Sequence, residues 1–578
     1  MDQVPAHADS LSPLLIPIVV GVTGHRDLRE EDLPHLRDSV SAIFRDLRGR
    51  YPRSPLILLS PLAEGADQLV AEVALAGGAG LVVPIPMPLE AYLRGFDAPA
   101  ARNRFRELFA KAAGSIQTTP GEAAAATGAA SEANGRYAAM GAFLARTSPI
   151  LIALWDGDPH DPEGGTSHVV QFKLGEKEIA GPRPPSFLIQ EESGPVFQVV
   201  TPRRDRPSPP PDAFQRKTLF PKYWGAERDA ERVFRRSLSN IERYNGDAPS
   251  AARGAGKGWE ASTRLILGEE LAGSLDQECG ITLRRYLLAD ELAARFKRAR
   301  VFSLSLVLAL AVGAFFSFHL YLEFYRHIPP LILVYPGLLG LAGLWYLHAR
   351  ARGYEYRHED YRALAEAMRV QLFWNIAGVR AQASDHYLHK HKGELEWIRF
   401  ALRGWNSLHS PAPCGASGRE ADERRRLEAL SGAWLDAQAA WFRKRGLMNE
   451  RVHLVLKWGG NGLLILGAVL AVSLFSLEIM GTGQWFRHHA PMAVVASLVF
   501  AGSIHWFLEK LAFQEQTKQY ARMAVLYADA SARIRKLLGA GDIPAARGLL
   551  FEVGREALAE GADWLLLHRA RPINIPAP

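Results

Sequence analysis

Four stretches of this chain lack Asp, Glu, Lys and Arg altogether: residues 301–322, 328–347, 458–477 and 490–508. Uncharged runs of 19 to 22 residues rise about 30 Å as helices, which is the hydrocarbon thickness of a bilayer. One such run can be a buried core helix. Four, arranged as two close pairs, read as two membrane hairpins. A chain so patterned is not one globular domain, and 578 residues leave room for three to four units.

The charge balance, 68 Lys+Arg against 61 Asp+Glu, leaves a mild +7 and gives no nucleic-acid signature. A composition of 48% hydrophobic and 22% charged residues excludes a mostly disordered chain. The two cysteines, Cys279 and Cys414, have a spacing that suggests neither a disulfide nor a metal site, so reduced thiols are expected. The opening MDQVPAHADS carries no Lys or Arg and its apolar run leads directly into a glycine turn, which is not a secretory pattern.

The placement of Lys and Arg around the hairpins sets their expected orientation. Arg295, Lys297, Arg298 and Arg300 precede the first hairpin and Arg350, Arg352 and Arg357 follow it, while the loop between has only Arg326. The second hairpin repeats this, with five basic residues from Arg443 to Lys457 before it, Lys510 and Lys518 after it, and Arg487 in its loop. Both loops are therefore expected outside, with both termini in the cytoplasm. His319 and His505 lie near window ends, and Gly337, Gly340 and Gly343 share one helix face; none is assigned to a pore.

The N-terminal 200 residues have another rhythm. Apolar, β-branched runs at 16–22, 55–60, 80–86, 149–155 and 195–200 read as buried strands, with helical periodicity between them. Strands alternating with helices predict an α/β parallel sheet that binds ligands beyond the carboxyl ends of its strands. Three turns at those ends carry suitable residues. The first holds Thr23, Gly24, His25 and Arg26, with a guanidinium able to grip a phosphate. The second, Ser60 to Asp67, includes Glu64 and Gly65 and opens a helix whose N-terminal amides favour an anion; Asp67 is alternatively a cap for that helix. The third holds Asp156 and Gly157, then Gly164, Gly165 and Thr166, where backbone amides can approach a phosphate. No GxGxxG or GxxxxGK[ST] pattern occurs, which argues against a dinucleotide dehydrogenase and a P-loop NTPase.

At VGVTGHRD, LSPLAEGADQLVAEVAL, VPIPMPLEAYLRGF and LIALWDGDPHDPEGGTSHVV, the chain resembles the SLOG superfamily over about residues 14–200. That resemblance implies a Rossmann-like fold and a nucleotide or nucleotide-derived ligand held by the three turns. The family's hydrolase branch carries a Pro-Gly-Gly-x-Gly-Thr-x-x-Glu pattern with a catalytic glutamate. Here the third residue after Thr166 is Val169, and without a carboxylate the acid/base role lacks its group. Sensing is favoured over hydrolysis, with Glu64 or Glu163 as the substitutes a hydrolase would need.

Residues 202–211, PRRDRPSPPP, form a stiff spacer and mark an expected boundary, with a linker and connecting helix over 201–258 and a Gly/Ala/Ser loop at 246–258. Tyr361/Ala365 after the first hairpin and Tyr520/Ala524 after the second share an offset of 159, which suggests a duplicated module. Each hairpin with its following helix resembles a SLATT domain, a two-helix membrane effector joined to SLOG sensors in bacterial conflict systems, over 280–405 and 419–570.

The resulting expectation is an α/β Rossmann-like parallel-sheet domain followed by an α-helical membrane region with four transmembrane helices. Its function would be that of a cell-membrane sensor-effector that binds a nucleotide-derived ligand and perturbs the bilayer. No metal or other cofactor and no nucleic-acid partner is expected, and a homo-oligomer is needed for any pore because four helices enclose no wide lumen. The alternative is a membrane-tethered nucleotide N-glycosidase using Glu64. The stretch 282–300, with Leu283, Leu287, Leu288, Leu292 and Phe296 at helical spacing, is a candidate coupling element.

Overall fold

Strand β1 (Ile18–Gly24) is the pivot of a seven-stranded sheet. The computed structural model describes residues 12–118, 129–159, 164–177, 193–206, 209–255, 258–387, 395–406, 420–511 and 513–569. They fall into two compact units. The first comprises the chain up to Lys257 together with Gln277–Arg285 and Arg380–Cys414, and the second comprises the remainder.

In the first unit the order is β4-β3-β2-β1-β5-β6-β7, formed by β1, β2 (Leu56–Leu59), β3 (Gly80–Ile85), β4 (Gly114–Gln117), β5 (Ile150–Trp155), β6 (Val196–Val200) and β7 (Arg216–Leu219). All pairs are parallel except β6 with β7. The strands run out from β1 to β4 on one side, and β5 begins again on the other, so the strand order reverses between β1 and β5. Helices α1 (Leu33–Arg50), α2 (Ala66–Ala76), α3 (Leu89–Arg94), α4 (Pro99–Phe109), α5 (Ala129–Thr147) and α6 (Thr166–Lys173) connect them. Burial of Leu36, Val40, Ile43, Phe44 and Leu47 along α1 realises the helical spacing of its sequence.

Five of the seven strands coincide with the apolar runs. The other two, β4 and β7, are sheet edges with mostly exposed side chains, so no hydrophobic run announces them. β7 lies beyond the proline-rich stretch, which therefore does not end the sheet. Residues 201–206 run back along the loop after β1: the Arg204 N–H donates to the Asp27 carbonyl at 3.0 Å, and Arg29 Nε to the Arg203 carbonyl at 2.9 Å. Helix α7 (Glu227–Ala255) passes through Pro249 where a loop was expected, and buries Ala248 and Ala251.

The unit is completed by α12 (Ala383–His386) and α13 (Glu396–Asn406), which the sequence had grouped with the first hairpin module. Trp405 Nε1 donates to the Leu15 carbonyl at 2.8 Å, and the Arg285 guanidinium stacks over the Trp405 ring at 5.2 Å. Lys173 is buried and donates to the carbonyls of Ala145 (2.7 Å) and Ser148 (2.5 Å) at the end of α5. Burial, then the nearby Arg403 charge, lowers its ammonium to about 7. Cys279 is buried and disulfide-bonded, a correction to the expected reduced thiol, since spacing in sequence does not show which positions the fold brings together; Cys414 lies outside the described residues.

The second unit is helical: α8 (Trp259–Gly273), most of α9 (Gln277–Phe324), α10 (Val334–Arg352), α11 (Tyr354–Ala377), α14 (Glu420–Leu430), α15 (Ala437–Met480), α16 (Gln484–Leu511), α17 (Phe513–Gly539) and α18 (Ile543–Arg569). The four uncharged windows fall in helical stretches long and apolar enough to cross a membrane, the second beginning with a short 3-10 turn at Pro329–Leu333 ahead of α10, and only 6–17% of the most apolar 18 residues of each stretch is buried. Close approaches join them. A side chain at Gly460 would stand 2.7 Å from His505 Cε1, Ser497 is buried against Gly467, and the rings of Phe316 and Phe500 are 5.5 Å apart.

Around the two hairpins the helices follow in the same order, α9–α10–α11 and α15–α16–α17, and the two tyrosines of the 159-residue offset lie in α11 and α17. Tyr361 packs edge-on against Phe296 at 5.5 Å, and Tyr520 against Phe442 at 5.4 Å. Outside the windows, Leu287, Leu288, Leu292 and Phe296 are all buried. Glu359, 1% exposed, lies 3.6 Å from Arg300, and its burial raises the carboxyl to about 8.

Candidate functional site

The reversal of strand order between β1 and β5 leaves a crevice at their carboxyl ends, the usual ligand position in an open α/β sheet. All three turns singled out from the sequence lie at this rim, and two of them are tied directly to the turn after β1.

From the β1 turn, the His25 N–H donates to the Leu154 carbonyl at 3.1 Å and the Ala66 N–H to the His25 carbonyl at 3.0 Å. One residue thus links β5 on one side to the start of α2 on the other. The Asp156 N–H donates to His25 Nε2 at 3.1 Å. Thr23 and His25 are buried, so they line the wall of the crevice rather than its mouth. Gly24 has no room for a side chain, because a Cβ there would lie 2.9 Å from the Leu154 carbonyl oxygen.

The second turn is held from within. Ser60 Oγ donates to the Asp67 carbonyl at 3.1 Å and accepts from the Leu62 N–H at 3.2 Å. Leu62 adopts φ +57°, a left-handed conformation that costs about 1 kcal/mol or more for a leucine. Gly65 has φ +80°, and a Cβ would sit 2.5 Å from the Arg26 carbonyl oxygen. The glycine expected to admit a phosphate is thus required by turn-to-turn packing. Glu64 is only partly exposed, and its Oε1 accepts from the Ala98 N–H at 3.2 Å ahead of α4.

Asp67 is 5% exposed. Burial pushes its carboxyl up to about 7, against the pull of the Arg26 guanidinium and a hydrogen bond from the Ala63 backbone. Arg26 itself stands over the Tyr137 ring, 5.6 Å from its centroid, and Tyr92 Oη donates to the Pro61 carbonyl at 3.1 Å. Tyr92 and Tyr137 belong to this site although no turn motif pointed to them; they lie on helices α3 and α5, distant in sequence from the turns.

In the third turn the Asp156 side chain is 3% exposed; its Oδ1 accepts from the Asp158 N–H at 3.0 Å and its Oδ2 lies 3.3 Å from Arg206 Nη1. Arg206 also pairs with Asp158. Its location in the proline-rich stretch concealed its role. Gly157 takes φ +95°. Gly164 donates its N–H to His168 Nδ1 at 3.0 Å, while Gly165 and Thr166 open α6. Val169, at the position of the missing carboxylate, is 3% exposed and packs against Gly141 in the core. Glu163 lies outside the described residues.

The rim therefore presents the Arg26 guanidinium beside an aromatic ring, the Arg206 guanidinium paired with Asp156 and Asp158, and the partly exposed start of a helix, with the Asp67 carboxyl buried near Arg26. That set can hold an anionic group with an adjoining planar ring. Among the described residues, no cluster of His, Cys, Asp and Glu has metal-binding geometry. Comparison with protein-family models, curated proteins and solved structures found no match.

Proposed function

We propose that the chain is a membrane-anchored sensor-effector. A nucleotide or nucleotide-derived ligand occupies the rim at Arg26, Asp67, Tyr137 and the 164–166 turn. Its binding shifts the packing of a four-helix membrane region, depolarising or perforating the membrane in a bacterial conflict response, as the SLOG and SLATT resemblances imply. The Rossmann-like identity of the sheet domain, the crossing of the bilayer and the cytoplasmic placement of both termini belong to this proposal. The observation that carries it is the convergence of three turns where the strand order reverses. The bare apolar windows support the membrane half, since leaving such faces in water is costly.

The hydrolase reading is weaker. Val169 is committed to the core, and Glu64 is committed to the backbone ahead of α4. A ligand can shift the membrane region only through its differential affinity for two states, and α9 connects the two units by chain continuity.

The test uses the full-length protein in detergent. Small molecules released on denaturation are identified by mass spectrometry, and nucleoside mono- and diphosphates are then titrated by calorimetry into wild type and Arg26→Ala. Binding that weakens about ten-fold or more in the variant supports the site. Equal affinity in both places the ligand elsewhere.

A further inference from the structure

The outer face of the C-terminal helix pair carries a groove of about 700 Å³. Val525, Leu526 and Ala530 of α17 and Leu549 and Val553 of α18 supply its apolar lining. Val525 is 62% exposed, an uncovered apolar residue lining the groove. The rims differ in sign. Arg522 and Arg533 stand on the α17 side, and Glu552 and Glu556 on the α18 side. None of these four forms an ion pair with another described residue.

We propose that this face binds a second copy of the same face. The helices are antiparallel across the turn at 540–542, so Arg522 lies level with Glu556, and Arg533 with Glu552, to within about one helical turn. A two-fold axis running along the pair lays each α17 on the partner's α18. Each basic rim then meets an acidic rim, and the two apolar linings close on one another. A two-fold across the pair would instead set α17 on α17 and bring arginine to arginine, which is repulsive. Asp529 also lines the α17 side, which beside Arg522 and Arg533 keeps a net positive charge. Two helices of 27 residues present a face about 40 Å long and about 20 Å wide, close to the roughly 800 Å² per partner of a stable interface.

The experiment compares full-length wild type with Arg522→Glu/Arg533→Glu and with Glu552→Arg/Glu556→Arg, each carrying a different affinity tag. Mass is read by light scattering in detergent at low salt. Wild type should be dimeric, and each double variant alone should dissociate with a constant at least ten-fold higher. Mixed together, the two variants should pair and co-purify, because each swapped rim then faces its complement; recovery on mixing also shows that both are folded. A monomeric wild type, variants that dimerise like wild type, or variants that remain apart on mixing would each overturn the proposal. Extraction of the same proteins from membranes with alkaline carbonate scores the membrane reading separately, since release into the supernatant rejects that reading whatever the dimer result.

Discussion

His25 Nε2 accepts the backbone N–H of Asp156 at 3.1 Å and lies 3.3 Å from Asp156 Oδ1. The ring therefore ties the turn after β1 to both the backbone and the side chain of the residue that follows β5. Replacing it by alanine leaves the Asp156 N–H buried without its partner. His25→Ala should therefore destabilise the sheet unit by about 1–3 kcal/mol. Asn, which restores an acceptor oxygen, should recover part of that loss; chemical denaturation of the three proteins gives the comparison.

Gly65 is constrained by both its backbone and its surroundings. With φ +80° and the Arg26 and His25 carbonyl oxygens 2.5 and 2.6 Å from a would-be Cβ, Gly65→Ala should lower stability by roughly 2–4 kcal/mol. Gly165→Ala is the control, because its φ of −74° suits any residue. Equal melting temperatures for the two variants would contradict the described turn.

Asp67 should make stability pH-dependent. A carboxyl raised from 3.8 to about 7 on folding contributes stability that is fully present below pH 3.8 and lost as pH rises through about 7. Asp67→Asn should match wild type near pH 4 and exceed it at pH 8 by on the order of 3 kcal/mol. A difference that does not change between these pH values would reject the assignment.

Lys173 has the opposite slope. Its ammonium falls from 10.5 to about 7 on folding, so the unfolded chain binds the extra proton between these values and stability rises across that window. Relative to Lys173→Met, wild type should gain roughly 3 kcal/mol between pH 7 and pH 10. Parallel stability curves for the two proteins would show that the lysine titrates as if exposed.

The hairpin topology is tested by labelling intact cells. A cysteine introduced at Gly483, between the third and fourth apolar windows, should react with an impermeant thiol reagent from outside, and one at Gly415 should not. Reaction at both positions overturns the arrangement.

What the sequence determined by itself was whatever repeats or excludes. Four uncharged windows, five apolar strands and the Tyr361/Tyr520 offset were all legible, because burial and periodicity act locally and leave a pattern in consecutive residues. The edge strands β4 and β7 were not, since each has few buried side chains and its partner is chosen by the sheet. The site was half legible. Glycine and charge at the strand ends marked the three turns, but the sequence assigned Gly65 to a ligand where tertiary packing requires it for the Arg26 carbonyl. Tyr137, Arg206 and the titration of Asp67 were set by tertiary structure alone. Tyr137 reaches Arg26 and Arg206 reaches Asp156 only once helix and sheet are packed, and a carboxyl rises to about 7 only when the fold takes water away from it.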